Sequence, residues 1–411
     1  MQDTTAAEDE SRRPVATITA EFKADAPAAL AELRAGGPVR RVRLGSGLDA
    51  WAVLSYAESR AALTHPQLLK NPEPAIAALE AAGITSHRVG EGFGGSMLFS
   101  DPPNHTRLRR LVAPVFSARR TELLAGRVRA IAGELLDAMA AHDEVDLVEA
   151  YCAPLPMTVI CELHGVPAGE RADFRDWSRA LVGIPSPEQR ENGLRFNRYL
   201  TELVDRKRAE PSDDLLSDLI AQQTKEDGRL SHVELIAMAG LLVVAGHDTT
   251  VNLLGNAMVA LFRQPEQALL LRSRPDLITG AVEEFLRLDS SVEQSTFRFA
   301  AEDLELGGVR IRRGDLVVVY LGAASRDAPQ DGVADPAKLD VTRANARHLA
   351  FGHGIHHCVG APLARTEASI AIGALLRRFP RLRPGIPLAE VPWIPNGMMR
   401  GPLRLPVRLT D

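Results

Sequence analysis

From Thr106 through Gln223 apolar residues recur at three- and four-residue spacing, a period that predicts packed amphipathic helices, with breaks at Pro114, Gly165-Val166-Pro167 and Pro185 to Pro187. Ahead of them, residues 39–44 and 50–54 are rich in β-branched and apolar types and flank Gly45-Ser46-Gly47, which predicts a hairpin. Ser231 and Glu234 stand three apart before an apolar run, the arrangement of a capping box, so a helix should begin there and continue to Arg263. At ~1.5 Å per residue it spans about 50 Å, enough to cross the molecule, and polar residues in its middle then lie in the core. The period changes over 292–322, where 294–299, 309–311 and 316–321 read as strands separated by Gly307-Gly308 and Arg313-Gly314-Asp315. A last amphipathic stretch covers 361–379. No internal repeat, low-complexity run or Ser/Gly linker divides the chain. The pattern predicts a mainly α fold, one large helical domain over 21–411 with small β-sheets, preceded by a flexible segment at 1–20.

Composition narrows the function classes. The 411 residues carry 48 Lys+Arg and 53 Asp+Glu, so the chain is mildly acidic and no nucleic-acid coat is expected. Cys152, Cys161 and Cys358 are too few for a disulfide scaffold and fit a reducing compartment. Residues 1–14 lack the basic start and apolar stretch of a secretory signal. The longest clean apolar run, 235–245, falls short of the ~20 residues a bilayer crossing needs. A cytoplasmic protein with no membrane span is expected. Only five of the basic residues are lysine, a bias read as a hint about genome composition.

The densest chemistry lies between Phe351 and Gly360, where three glycines and three histidines surround Cys358 just before the last amphipathic stretch. A buried, inert cysteine in a glycine-rich turn is one reading. A thiolate at a helix start is another, since the dipole and unpaired N–H groups stabilise the anion and glycine lets them approach it. His353, His356, His357 and Cys358 could also be zinc ligands, although four ligands within six residues, with no second Cys/His pair, are unlike a structural zinc site.

The pattern F-G-x-G-x-H-x-C-x-G is filled at every fixed position, and this loop resembles the haem-binding loop of the cytochromes P450. The resemblance spans the chain from about Val39 to its end. It implies the fold of that family, with haem b (iron protoporphyrin IX) buried between the long central helix and the cysteine loop. It further implies Cys358 as the axial thiolate and metal ligand, Phe351 packed near the sulfur, and His356 at a haem propionate. An axial thiolate pushes electron density to iron and favours O–O cleavage.

Other segments fall in the order the family requires. In Ala245-Gly246-His247-Asp248-Thr249-Thr250, Ala245 and Thr249 share a helix face, and the Thr249 hydroxyl can draw the Ala245 carbonyl from the helical ladder. Ala245 and Gly246 would leave room beside a flat cofactor, and Asp248 is an acid in an apolar run. The segment resembles the family's oxygen-activation motif, which assigns proton delivery to Asp248 and Thr249; His247 fills the variable position. Glu284 and Arg287 match the family's E-x-x-R pair, joined by Arg343 in a buried ion network. His105 and Arg109, four apart in a segment resembling D-P-P-x-H-x-x-x-R, and Arg298 are the remaining propionate partners. Ser325-Arg326-Asp327-Ala328 departs from the family's N-R-D-P.

The resemblance places Leu241, Val244, Gln294, Thr296, Met398 and Met399 at a substrate pocket, with a glycine-bearing lid over 73–98. No flavin or nicotinamide fingerprint is present, so electrons should come from a ferredoxin with its NAD(P)H-dependent reductase. Arg107, Arg110, Arg119, Arg120, Arg347 and Arg365 would form its basic docking patch. The expected function is a monomeric haem-thiolate monooxygenase that inserts one atom of O2 into a C–H or C=C bond of a bulky secondary metabolite, polyketide- or macrolide-like. A haem-binding sensor without turnover is the alternative.

Overall fold

The computed structural model describes residues 13–71, 76, 95–179, 187–223, 230–327 and 335–410. It opens with strand β1 (Ala16–Thr17), helices α1 (Ala20–Ala24) and α2 (Ala26–Ala35), then β2 (Val39–Arg43) and β3 (Asp49–Val53) as the expected hairpin. Within the segment expected to be flexible, Ala16 and Thr17 pair with β2 and Ile18 is buried; residues 1–12 lie outside the described residues. The expected lid lies almost wholly outside them too, at 72–75 and 77–94, as does the break at 185–186.

Helix α3 (Tyr56–Thr64) and strand β4 (Leu68–Leu69) follow, then α4 (Asn104–Val112) and α5 (Ala118–Met139). The helical run is interrupted by a strand the periodicity did not show, β5 (Glu144–Asp146), and by a π turn at Val148–Cys152 before α6 (Pro154–Leu163). Next come α7 (Arg171–Arg179), α8 (Pro187–Ala209) and α9 (Leu215–Gln223). The long helix α10 (His232–Arg263) starts where the capping box placed it: Ser231 accepts from the Glu234 N–H, and Glu234 Oε2 accepts from the Ser231 N–H. Among the described residues it is the one helix long and apolar enough to cross a membrane, yet most of it is buried inside the fold as the core helix.

The chain continues through α11 (Pro265–Ser273), α12 (Ile278–Leu288), β6 (Arg298–Ala300), β7 (Leu304–Leu306), β8 (Val309–Ile311), β9 (Leu316–Val319) and α13 (Leu321–Asp327). It closes with α14 (Ala361–Arg378), β10 (Arg383–Pro384) and β11 (Pro406–Arg408). The strand expected over 294–299 forms only at its end. Over 293–295 the backbone N–H groups bond instead to Met398 and Val319 carbonyls.

The main sheet has the order β1-β2-β3-β9-β6-β4. Alternation along β3 sends Ala50 and Ala52 to a core with Leu30, Leu33 and Tyr320, and Trp51 and Val53 to a second core with Leu63 and Leu321. The large helical core gathers α5, α6, α10, α12 and α14, with α10 packed on α6 and α14. α14 begins directly after the cysteine loop and packs on α10.

Candidate functional site

The cysteine loop is shaped by its glycines. Gly352 and Gly354 have φ of +73° and +74°, which side chains rarely adopt, and a Cβ on Gly354 would lie 3.0 Å from the Leu63 carbonyl at the end of α3. The Cys358 N–H donates to Phe351 O (2.8 Å), closing the loop immediately before α14. Cys358 is a free, accessible thiol. Local desolvation pushes it up, while the N–H groups of Gly360 and Ala361 and the charges of Arg109 and Arg365 pull the other way. The Arg365 guanidinium lies 4.5 Å from the Phe351 ring centroid and makes a bidentate pair with Glu283 (2.7 and 2.9 Å), which also meets His348 Nε2 at 3.1 Å. Phe351 is therefore held in place from α12 and α14.

Beside the loop is a crowd of donors. The His105 and His356 rings are 4.3 Å apart. His105 is buried with neither ring nitrogen bonded, and Arg298 is buried with Nη1 unbonded. Arg109 Nη2 donates to His357 O at 2.6 Å, so α4 is tied to the residue before the cysteine. The charges feel one another. Desolvation, then Lys70, His105, Arg298 and Arg109, hold His356 at about 2, and burial lowers Arg298 to about 10. Lys70 was not foreseen: it follows β4 outside any motif, is 3% exposed, and is held well below its ordinary value by desolvation and then by Arg298. Its ammonium donates to the carbonyls of Thr296 and Phe297 (3.1 Å each) and to the Thr296 hydroxyl.

On α10, Thr249 Oγ1 donates to Ala245 O at 2.6 Å, as the shared face required. Val244, Ala245, Asp248 and Thr249 keep accessible surface in the middle of this otherwise buried helix. At Gly246 a Cβ would sit 2.9 Å from Ile160 Cδ1, so its smallness also lets α6 pack on α10. His247 is not a spectator either: buried, it meets Asp248 Oδ1 and the Ala153 carbonyl.

The pocket residues divide. Gln294 Nε2 donates to Gly397 O (3.0 Å), Val292 bridges Met399, and the Glu293 and Gln294 N–H groups donate to Met398 O, so the strand approach and the late turn do meet. Leu241 is 5% exposed within the main helical core, which accounts for it as packing, and the Thr296 hydroxyl is engaged by Lys70. A second unforeseen lysine secures the turn: buried Lys23 donates to Glu293 Oε1 (2.8 Å), Met399 O (2.9 Å) and Gly397 O (3.3 Å). Two isolated lysines thus hold both ends of 293–297. No spacing rule marks them; only their rarity among so many arginines could have drawn notice.

Glu284, Arg287 and Arg343 come together as expected. Glu284 accepts from Arg287 Nε and Nη2 (2.7 and 2.9 Å), from Arg343 Nε (2.9 Å) and from the Asp340 N–H (3.1 Å). The docking patch is thinner than expected. Arg107 pairs with Glu234, Arg120 with Asp218 and Arg365 with Glu283, so at least half of its cations are engaged within the chain.

The family model "Cytochrome P450" matches residues 271–385. Cytochrome P450 107B1 of Saccharopolyspora erythraea is 47% identical over 376 residues, covering 90% of this chain and 92% of the relative. The 6-deoxyerythronolide B hydroxylase of the same organism is 42% identical, covering 92% and 95%. The solved tirandamycin C-bound P450 monooxygenase TamI superposes with a TM-score of 0.88 at 41% identity, covering 96% of this chain and all of that one. Identity at this level along nine tenths of the length, on the same helical fold, makes the chain a member of the cytochrome P450 family, monooxygenases that bind haem through a cysteine thiolate.

Proposed function

We propose that this chain hydroxylates or epoxidises a bulky polyketide- or macrolide-like metabolite, with Cys358 as the iron ligand and the haem propionates held by His105, Arg109, Arg298 and His356. The observation that carries the reading is the cluster of buried donors beside the thiol loop. Both His105 nitrogens and Arg298 Nη1 lack partners, burial pushes Arg298 down, and burial followed by the nearby cations pushes His356 down. Among the described residues, Asp101 is the one anion acting on Lys70, His105 and Arg298, and two further carboxylates would satisfy the unpartnered donors. The residues present fit the group.

When bound, the haem supplies dioxygen activation: O2, two electrons and two protons give one oxygen atom to the substrate and one water. The chain supplies the rest. Gly360 and Ala361 hold negative charge on Cys358 through their N–H groups, and Phe351, fixed by Arg365, anchors the Cys358 backbone by accepting its N–H. Thr249 directs its hydroxyl proton to Ala245 O, leaving its lone pairs to order a water, and Asp248 is the acid that moves protons toward it. Val244, Gln294 and Met398 line the substrate side, with Met398 as adaptable apolar surface. The molecules named with the relatives, tirandamycin C bound to one and 6-deoxyerythronolide B for the hydroxylase, support the substrate class. Electrons come from a ferredoxin and its NAD(P)H-dependent reductase.

Turnover under 18O2 tests the reading: one labelled atom should enter each product molecule, and label arriving from water instead would contradict it. Thr249→Ala should divert several-fold more of the consumed O2 to peroxide. Unchanged coupling would remove Thr249 from proton delivery.

A further inference from the structure

His247 stands at the variable position of the helix motif, yet it is 3% exposed and both ring nitrogens face acceptors. Nε2 lies 3.3 Å from the Ala153 carbonyl, where α6 begins, and Nδ1 lies 3.0 Å from Asp248 Oδ1. A carbonyl only accepts, so Nε2 must carry a proton. That fixes the tautomer and leaves a single question, which atom owns the proton between Nδ1 and Oδ1.

Four occupancies exist for that contact. A bare carboxylate facing a bare Nδ1 sets two lone pairs against each other, and a carboxyl O–H facing an N–H sets two protons against each other; both are repulsive at 3.0 Å. The remaining two are imidazolium with carboxylate, and neutral imidazole accepting from the carboxyl O–H. Each holds one shared proton and each has zero net charge. Neutrality suits a pair whose ring is buried and whose carboxyl side is partly open.

We propose that His247 and Asp248 form a proton-sharing pair in which His247 is a positioning residue, fixing Oδ1 and storing one proton for delivery past Thr249. The inference rests on the proton-delivery reading above and names the source of the proton. The pair is a store and not a wire to bulk water. The Ala153 carbonyl has no exchangeable proton, so His247 is a dead end, and refilling must come through the carboxylate, whose side chain remains 22% exposed. When the shared proton leaves, the Oδ1–H or Nδ1–H bond breaks, the pair passes from zero to one negative charge, and a proton from water restores it.

The test uses the holoenzyme, 15N-labelled at histidine, as its diamagnetic ferrous carbon monoxide complex. Long-range 1H–15N correlation at pH 7 reports each ring's tautomer, and the His247 signals are those lost in His247→Gln. The expected spectrum has Nε2 protonated and Nδ1 shifted away from a free lone pair. In Asp248→Asn, where the amide can donate but has no proton to share, Nδ1 should move to the value of an accepting lone pair while Nε2–H stays. An Nδ1–H tautomer with bare Nε2, or an Nδ1 shift indifferent to Asp248→Asn, would overturn the pair. Tight coupling in Thr249→Ala with the shared-proton spectrum intact would instead reject the delivery reading and leave the pair standing.

Discussion

Glu284 and Arg287 have no exposed surface, and Glu284 carries two guanidinium groups at once. Glu284→Gln leaves both cations buried without their anion, and we expect a loss of about 3–5 kcal/mol, read as a lower urea midpoint and lower haem content. Adding Arg287→Met should recover part of that loss, because the desolvated charge goes with it. Glu367 on α14 is the opposite case, a buried acid with an unpartnered oxygen, pushed up to about 8 by burial alone. The folded chain keeps its proton while the unfolded chain releases it above the ordinary carboxyl value of 4.5, so stability falls as pH rises from there to about 8. Glu367→Gln should therefore stabilise more at pH 7.5 than at pH 5.5, by on the order of 3 kcal/mol. Equal gains at the two values would contradict the raised acid.

At the scale of the elements, α10 shows what a linear reading resolves and what it misses. Its start, its end and the Thr249 bond to Ala245 follow from a capping box and an i, i+4 face, both local in the chain. The close approach of Ile160 to Gly246 escapes a linear reading, because that neighbour comes from another helix. His247 was passed over for the same reason, since its partner at Ala153 lies 94 positions away. Gly255, further along α10, meets Pro402: a Cβ there would be 2.7 Å from a ring carbon that cannot swing aside. Gly255→Ala should gain up to about 1 kcal/mol of helix propensity and lose about 1–3 kcal/mol to overpacking. A lower thermal midpoint is the expected net result, and a higher one would show that the Pro402 turn can shift.

Across the whole molecule, the motif-borne site was legible while its supports were not. Cys358, His105, His356, Arg298 and the Glu284 network stand in recognisable spacings; the fold sets His105 against His356 and, separately, joins Glu284 to Arg287 and Arg343. Lys23 and Lys70 stand in none, and they act by reaching 270 and 226 positions along the chain. The charge pattern was also only half visible, because pairing with Glu234, Asp218 and Glu283 is a tertiary event. Reduction by an acidic ferredoxin should still slow as ionic strength rises, but less steeply than six free arginines would give. A rate independent of salt would argue against electrostatic docking.

The account depends most on the bond between Cys358 and iron, and the ferrous carbon monoxide spectrum tests it directly. A strongly red-shifted Soret band, lost in Cys358→His, is the predicted result. A wild-type band of the histidine-ligated kind, or a red-shifted band that survives Cys358→His, would contradict it.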